Sequence, residues 1–309
     1  MPDHLPKILV TPRSVTKSGH PSLQRLRAAG YEVRCCTPGA QPGEEELLRL
    51  LPGCVGYLAG VEKVTARVLD AADALRVISR NGTGVDNVDL SAAKRKRITV
   101  CRAEAANARG VAELTLALVF ALARSIPASD RQIKNGAWER RLGVELAGRT
   151  LGVVGCGAIG KQVAALGQAM GMKVIAFDVD ATVAGGAGVQ FKPLDALLAE
   201  SDVVTLHVPG GAGPLIDTAA VGRLKPGVLL VNTARHELLD PQAVLSGLER
   251  GVIAGVGLDV FAAEPPAMDE LVGHDRVICT PHIGGYTVES VSRVMDIAVE
   301  NLLTALGSR

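Results

Sequence analysis

Residues 150–178 read TLGVVGCGAIGKQVAALGQAMGMKVIAFD, and the order of signals within them decides the fold. Residues 151–154 form a short apolar run suited to a buried strand. Gly155, Gly157 and Gly160 follow at G-x-G-x-x-G spacing, and 159–170 repeats apolar residues at helical period. That is strand, tight turn, helix. The first glycine permits the turn, the second lets a pyrophosphate approach the backbone, and the third lets helix pack closely on strand. The helix N-terminus offers free N–H groups to phosphate. A second strand at 173–177 ends at Asp178, eighteen residues past Gly160, where a carboxylate can accept both ribose hydroxyls of a dinucleotide. Asp180 would repel a 2′-phosphate and no Arg follows Asp178 directly, so the expected cofactor is NAD rather than NADP.

Outward from this stretch the chain alternates strand and helix signals. Before it, strands are expected at 7–10, 31–36, 55–59, 76–79 and 98–101, with helices at 21–29, 44–51, 65–72 and 90–96. After it, strands at 203–207, 228–232, 256–260 and 277–280 alternate with helices at 194–198, 219–223 and 241–250. Such βαβ alternation with short links builds parallel sheets covered on both faces. One α/β layer structure is complete before the glycine turn begins. A long helix pattern at 107–124 joins the halves, and Trp138, the only tryptophan, is expected to fill a core corner or anchor an interface. The last helix, 288–306, has Thr287 as its expected N-cap and apolar residues at 291, 294, 298, 302 and 305, so one face is buried.

Whole-chain properties narrow the function classes. A length of 309 residues suits about two domains of roughly 100–200 residues. A composition 48% hydrophobic and 21% charged supports large cores and argues against disorder. The net charge of +1 gives no electrostatic case for a nucleic-acid or membrane partner, and the basic run at 94–97 reads as a solvated helix end. The longest apolar helix, 111–123, contains Glu113 and Thr115 and is too short to span a bilayer, and the opening residues lack the pattern of an export signal. The six cysteines, at 35, 36, 54, 101, 156 and 279, show no C-x-x-C spacing. They read as reduced core residues of a cytoplasmic protein, with neither a disulfide framework nor a metal site.

Ligands of open parallel sheets bind beyond the carboxyl ends of the strands, so the turns there carry the candidate residues. Arg80, Asn81, Gly82 and Thr83 follow one strand of the first half; this turn either presents N–H groups to an anion or is a plain loop capped by Asp86 or Asn87. In the second half Arg235 follows the 228–232 strand, Asp259 and Glu264 follow the next, and His282 follows the last. Moving a hydride between NAD and an alcohol or carbonyl needs a proton donor or acceptor, and His suits that task near neutral pH. A carboxylate bonded to the imidazole fixes its tautomer. A 2-oxo acid needs a cation as well, which an Arg fork matches in two-pronged fashion. Singly, each residue has an ordinary alternative: a solvated Arg, a loop-opening Glu, a His bonded to its own turn. Their joint placement behind a dinucleotide turn favours catalysis.

These ordered motifs resemble the D-isomer-specific 2-hydroxyacid dehydrogenase family, and most closely its phosphoglycerate dehydrogenase-like branch without a regulatory extension. The likeness covers nearly the whole length: 81–90, 107–113, Trp138, 143–152, the glycine turn with Asp178, 232–235, 257–265 and 280–285. The resemblance implies Arg235, Glu264 and His282 as the catalytic residues. It implies cofactor contacts at Gly155, Gly157, Ala158, Ile159 and Gly160 for the pyrophosphate, Asp178 for the ribose, His207, Val208 and Pro209 near the adenine, and Asp259 at the nicotinamide carboxamide, with Thr233, Ala234 and Gly284 beside it. The substrate loop becomes Arg80, Asn81, Gly82 and Thr83.

The resemblance also implies an α/β architecture of two doubly wound parallel-sheet domains. A Rossmann NAD domain, 103–284, is inserted into a flavodoxin-like substrate domain, 1–102 and 285–309, and a homodimer forms through the nucleotide domains, with 111–124 and Trp138 as candidates. The implied activity is NAD-linked oxidation of a small D-2-hydroxy acid, 3-phosphoglycerate being one candidate. The same scaffold also serves NAD(H)-sensing corepressors, which bind without turnover, and formate- or phosphite-oxidising relatives. Three departures stand out. Where phosphoglycerate dehydrogenases usually carry an Arg after the third strand, this chain reads Ala59-Gly60-Val61-Glu62. His236 replaces the usual Gly after the catalytic Arg, and the 209–214 segment looks short and lacks the family's Thr.

Overall fold

The computed structural model describes residues 5–180, 182, 183, 186 and 188–307. The chain divides into two units, Met1–Asn107 with Val288–Arg309, and Ala108–Thr287. The extreme residues of the expected domains, and the opening residues read for an export signal, lie in part outside the described residues.

The first unit alternates β1 (Lys7–Val10), α1 (Arg13–Ser18), α2 (Leu23–Ala28), β2 (Glu32–Cys35), α3 (Glu44–Leu50), β3 (Cys54–Ala59), α4 (Ala66–Ala71), β4 (Val77–Arg80), α5 (Leu90–Arg95) and β5 (Thr99–Arg102). Its sheet runs β2-β1-β3-β4-β5 with every pair parallel, the flavodoxin-like order. Successive side chains of a strand face opposite ways, so both faces need cover. Leu9, Tyr57 and Ile78 pack with Leu47, Val68, Leu69 and Ala92 of α3, α4 and α5. On the other face Ile8, Val10 and Leu58 meet Leu26 of α2 and Met295, Val299 and Leu302 of the final helix, Val288–Gly307. Gly56 lets that helix lie close, because a Cβ there would stand 3.2 Å from methyls of Leu302 and Leu306. The basic run has a structural task in part: Lys96 Nζ donates to the Leu69, Asp70 and Ala72 carbonyls that end α4. The segment after β5 stays with this unit, since Ala103 N donates to Gly82 O and Arg293 Nε to Ala106 O. The division therefore falls at 107/108 rather than the expected 102/103.

The second unit holds α6 (Ala108–Ala123), α7 (Ile126–Lys134), β6 (Thr150–Val154), α8 (Ala158–Ala169), β7 (Lys173–Phe177), β8 (Val189–Phe191), α9 (Leu194–Glu200), β9 (Val203–Leu206), α10 (Thr218–Val221), β10 (Val228–Asn232), α11 (Pro241–Glu249), β11 (Ile253–Leu258) and β12 (Val277–Cys279). The Val288–Gly307 helix of the first unit is then α12. The seven-stranded parallel sheet runs β12-β11-β10-β9-β6-β7-β8. Numbered within the unit this is the dinucleotide-binding order with one strand added, and the order reverses between β6 and β9. Ligand crevices of open sheets form at that reversal.

Several elements differ from expectation. β11 starts at Ile253, not 256, because Gly255 and Gly257 mask its strand pattern. They let α6 lie on the sheet: a Cβ on Gly255 would stand 3.0 Å from Leu122 Cδ2, and one on Gly257 3.1 Å from Leu118 Cβ. The short elements α1, α7 and β8 were not anticipated. Trp138 does not fill a core corner, being 83% exposed. The cysteines are all free, but only Cys36, Cys54 and Cys156 are buried; Cys35 and Cys279 are exposed. Both lie in edge strands of their sheets, which leaves one side uncovered. Among the described residues no single helix is long and apolar enough to cross a membrane.

Candidate active site

One row of register partners runs across six strands of the second unit: Phe177, Val154, Leu206, Asn232, Leu258 and Cys279. The turns that carry the candidate residues follow that row at once. Asp178, Gly155, His207, Thr233, Asp259 and Thr280 each stand one position beyond it. Parallel register therefore delivers every turn to the same sheet edge.

The three glycines of the turn have separate tasks. Gly155 has φ +90°, and a Cβ there would stand 2.6 Å from His207 O. Gly160 is buried in α8, and its Cβ would stand 1.9 Å from Gly155 O. Gly157, the N-cap of α8, faces open space with nothing within 4 Å, and no side chain caps the helix. Ala158 beside it is exposed and Ile159 half-buried, so the first turn of α8 presents N–H groups to solvent. A pyrophosphate fits such a cradle. Asp178 Oδ2 accepts from Cys156 N at 2.7 Å, which sets its carboxylate beside the turn. Val208 is half-buried and Pro209 exposed on the neighbouring turn. Leu215 N and Ile216 N donate to Leu238 O, closing the short 209–214 loop onto a 3-10 turn at His236–Leu238.

His207 is an unusual histidine. Both ring nitrogens are shut away from solvent with no partner among the described residues, and burial pushes its pKa down to about 3 from 6.5. Below pH 6.5 the unfolded chain takes up a proton here that the folded chain does not. Stability is therefore present above the unfolded pKa and drains as pH falls toward 3, by at most about 1.4 kcal/mol for each pH unit. Urea unfolding of the His207→Gln variant should lose stability less steeply between about pH 6.5 and 4.5 than the parent chain does. Equal slopes would assign the proton uptake to other groups.

Three turns at the edge carry the candidate catalytic residues. Asn232 is buried; its Nδ2 donates to Arg235 O at 2.7 Å and its Oδ1 accepts from Ala234 N at 3.0 Å, so one amide braces the turn that carries Arg235. Thr115 Oγ1 donates to Val111 O, so the 2.9 Å contact between Thr115 and Thr233 uses the Thr233 proton and ties the turn to α6. Arg235 is half-buried and donates from Nη1 to Ala234 O at 2.8 Å. Asp259 is 1% exposed, and its carboxylate accepts from Thr280 Oγ1 at 2.6 Å, Ile283 N at 2.9 Å and Gly284 N at 2.8 Å. These bonds clasp the turn that holds His282 at φ +53°, a left-handed conformation that costs a non-glycine residue about 1–2 kcal/mol. His282 Nδ1 then stands 2.9 and 3.0 Å from the two Glu264 oxygens. An ionised carboxylate only accepts, so Nδ1 carries the proton and Nε2 is left for a ligand. Both side chains remain about half exposed.

The first unit holds the expected substrate loop. Asn81, Gly82 and Thr83 are half-buried, but Arg80 is only 7% exposed. Its Nε donates to Gly84 O and its Nη1 to Ala59 O and Gly60 O, so the guanidinium braces two turns. A clamp on substrate would have to draw it away from those carbonyls.

Residues 116–284 match the model of the D-isomer specific 2-hydroxyacid dehydrogenase NAD-binding domain. The D-3-phosphoglycerate dehydrogenase of Rattus norvegicus is 42% identical over 265 residues, 83% of this chain and 50% of that protein. The hydroxypyruvate reductase of Thermotoga maritima is 39% identical over 272 residues, 85% of this chain and 89% of that one. The chain belongs to the D-isomer specific 2-hydroxyacid dehydrogenase family. It spans about half the length of the curated D-3-phosphoglycerate dehydrogenases it matches. A structure of D-lactate dehydrogenase from Aquifex aeolicus with NAD and lactic acid superposes at TM-score 0.83, 32% identical, over 97% of this chain and 95% of that one. The TT0316 protein of Thermus thermophilus superposes at 0.88 with 36% identity, covering 98% and 97%.

As a member of this family the chain carries NAD in its second unit, whose glycine cradle, with the Asp178 carboxylate beside it, suits the cofactor. Sequence reading alone missed Asn232, Thr280 and Thr115 as braces of this family's turns. A polar residue closing an otherwise apolar strand, as Asn232 does, was the available signal.

Proposed function

We propose that the protein is an NAD-dependent D-2-hydroxyacid dehydrogenase acting on a small, soluble 2-hydroxy acid or the matching 2-oxo acid. The observation that carries this reading is the His282–Glu264 pair, set on the same sheet edge as the glycine turn with Nε2 left for a ligand. Hydroxypyruvate reductase and lactate dehydrogenase relatives support it.

When bound, the cofactor would supply the hydride chemistry, NAD as acceptor in oxidation and NADH as donor in reduction. The chain supplies the rest. Gly155, Gly157, Ala158, Ile159 and Gly160 cradle the pyrophosphate, Asp178 takes the ribose hydroxyls, and His207 to Pro209 flank the adenine. Thr233, Ala234, Asp259 and Gly284 line the nicotinamide end. Arg235 binds the substrate carboxylate and polarises the carbonyl. His282 Nε2 takes the hydroxyl proton during oxidation and returns it to the alkoxide oxygen during reduction. Glu264 holds the ring in that tautomer, and Asn81, Gly82 and Thr83 are the residues proposed for the substrate loop.

A homodimer forms through the second unit. The exposed Phe120, Ile126, Ile133, Trp138 and Leu142 support it, since an apolar set of this size in water marks an interface. Six cysteines with no disulfide support a reducing, cytoplasmic setting. NADH consumption across a panel of 2-oxo acids tests the activity: turnover is expected, whereas NADH binding without turnover would make the protein a sensor.

A further inference from the structure

The first unit has a feature that bears on which acid is taken. Its strand order reverses between β1 and β3, so a ligand of this sheet belongs beyond the ends of those two strands. What stands there is a buried carboxylate. Glu62 is 1% exposed, and its Oε1 accepts from the Thr11 hydroxyl at the end of β1, from Tyr57 OH at 2.5 Å and from Gly60 N at 2.9 Å. Burial and the Glu62 charge hold the Tyr57 phenol well above its usual pKa, so Tyr57 is the donor of that bond. Gly60 lets the carboxylate fold back under the loop, because a Cβ would stand 2.6 Å from Glu62 Oε2.

An anion bound here needs hydrogen-bond donors, and the strongest ones at the ends of β1 and β3 are turned onto protein groups. The Thr11 hydroxyl and the Gly60 N–H are turned onto Glu62. Arg80 Nε and Nη1 go to the carbonyls of Gly84, Ala59 and Gly60, and Asn87 Nδ2 goes to Glu62 O at 2.6 Å. Desolvating a phosphate beside a planted negative charge, where these donors would have to leave their present acceptors, is unfavourable twice over. Asn81, on the next strand end, has a buried Oδ1 with no partner among the described residues, an acceptor suited to a ligand hydroxyl.

We infer that Glu62 makes this chain select 2-hydroxy acids with a small uncharged, hydroxyl-bearing end and reject their phosphorylated counterparts. The inference rests on the proposed dehydrogenase reading for its substrate class. Glu62 is a positioning and field-setting group that touches the loop and not the reacting atoms.

Calorimetric titration of the full chain loaded with NADH, which cannot accept a hydride from a hydroxy acid, with D-glycerate and with D-3-phosphoglycerate tests it. D-glycerate should bind at least about tenfold more tightly, the size of effect a single opposed charge produces. In the Glu62→Gln variant, which keeps an acceptor and drops the charge, the ratio should shrink by about threefold or more while D-glycerate affinity is retained. Equal or tighter binding of the phosphorylated acid by the parent chain, binding of neither acid, or an unchanged ratio in a folded variant each overturns the inference. Should the variant fail to fold, the parent ratio decides alone. These binding ratios do not depend on turnover. A glycerate preference with no NADH consumption on any 2-oxo acid would sink the dehydrogenase reading and leave the selectivity standing.

Discussion

His282→Ala should lower kcat by about 10²–10⁴-fold while NADH affinity stays near that of the parent chain. The expectation follows from where the ring atoms go. Nδ1 is held by Glu264 at 2.9 and 3.0 Å, so Nε2 is the one atom of the pair available to exchange a proton with a substrate oxygen. The cofactor cradle lies on other strands, at Gly155 to Gly160 and Asp178, and among the described residues the Asp178 carboxylate bonds to Cys156 N and not to His282. Removing the imidazole should therefore strike the proton transfer and spare dinucleotide binding. Residue 282 sits at φ +53°, where Ala is strained, so His282→Asn is the better second variant because Asn tolerates left-handed backbone. Both variants should lose the same order of activity. Near-normal turnover in either, measured by NADH absorbance, would reject His282 as the proton carrier.

The second large effect separates two glycines that a motif treats alike. Gly160→Ala would set a Cβ 1.9 Å from a backbone carbonyl, so α8 and the turn must part. Overpacking of a well-packed region costs about 1–3 kcal/mol and can cost more where backbone has to move. A clear fall in thermal midpoint, with loss of NADH binding as its consequence, is expected. Gly157→Ala meets nothing within 4 Å and leaves an ordinary φ of −72°, so the free protein should keep its midpoint apart from a cap penalty below about 1 kcal/mol. Its effect should appear in NADH affinity, because the open space over Gly157 is where a pyrophosphate would approach. Equal loss of stability in both variants, or unaltered NADH binding by Gly157→Ala, would remove the phosphate cradle from the account.

Much of this was legible in the chain because parallel α/β architecture writes itself locally. Apolar runs such as 151–154 and 228–232 are buried on both faces and cannot be mistaken for half-exposed strands. Turn residues gather at one edge because register forces them there, so Arg235, Glu264 and His282 could be grouped before any coordinates. Other features depend on contacts distant in sequence. Gly255 and Gly257 look like strand breakers until α6 is laid across them. Trp138 looks like a core residue by type and stands 83% exposed. Arg80 reads as a cation available after a strand, yet its guanidinium is bound to carbonyls of its own turn and of the turn at Ala59 and Gly60. Asp259 was assigned to the nicotinamide by resemblance; the structure adds that three donors from the His282 turn already converge on it. Glu62 carried no signal beyond its unusual place in the loop, since its burial arises from Thr11, just past β1 and distant in sequence, and from Tyr57 of β3.

The central claim is that one guanidinium, one carboxylate and one imidazole, carried by three successive strand ends, act on a single acid beside the nicotinamide. A crystal structure of the full chain with NADH and the unreactive 2-oxo acid analogue oxamate tests it most directly. The account predicts the carboxylate of oxamate on Arg235, its keto-like oxygen within hydrogen-bond reach of His282 Nε2, and Glu264 still on Nδ1. Oxamate seated elsewhere, or His282 turned away from it with NADH in place, would contradict the account.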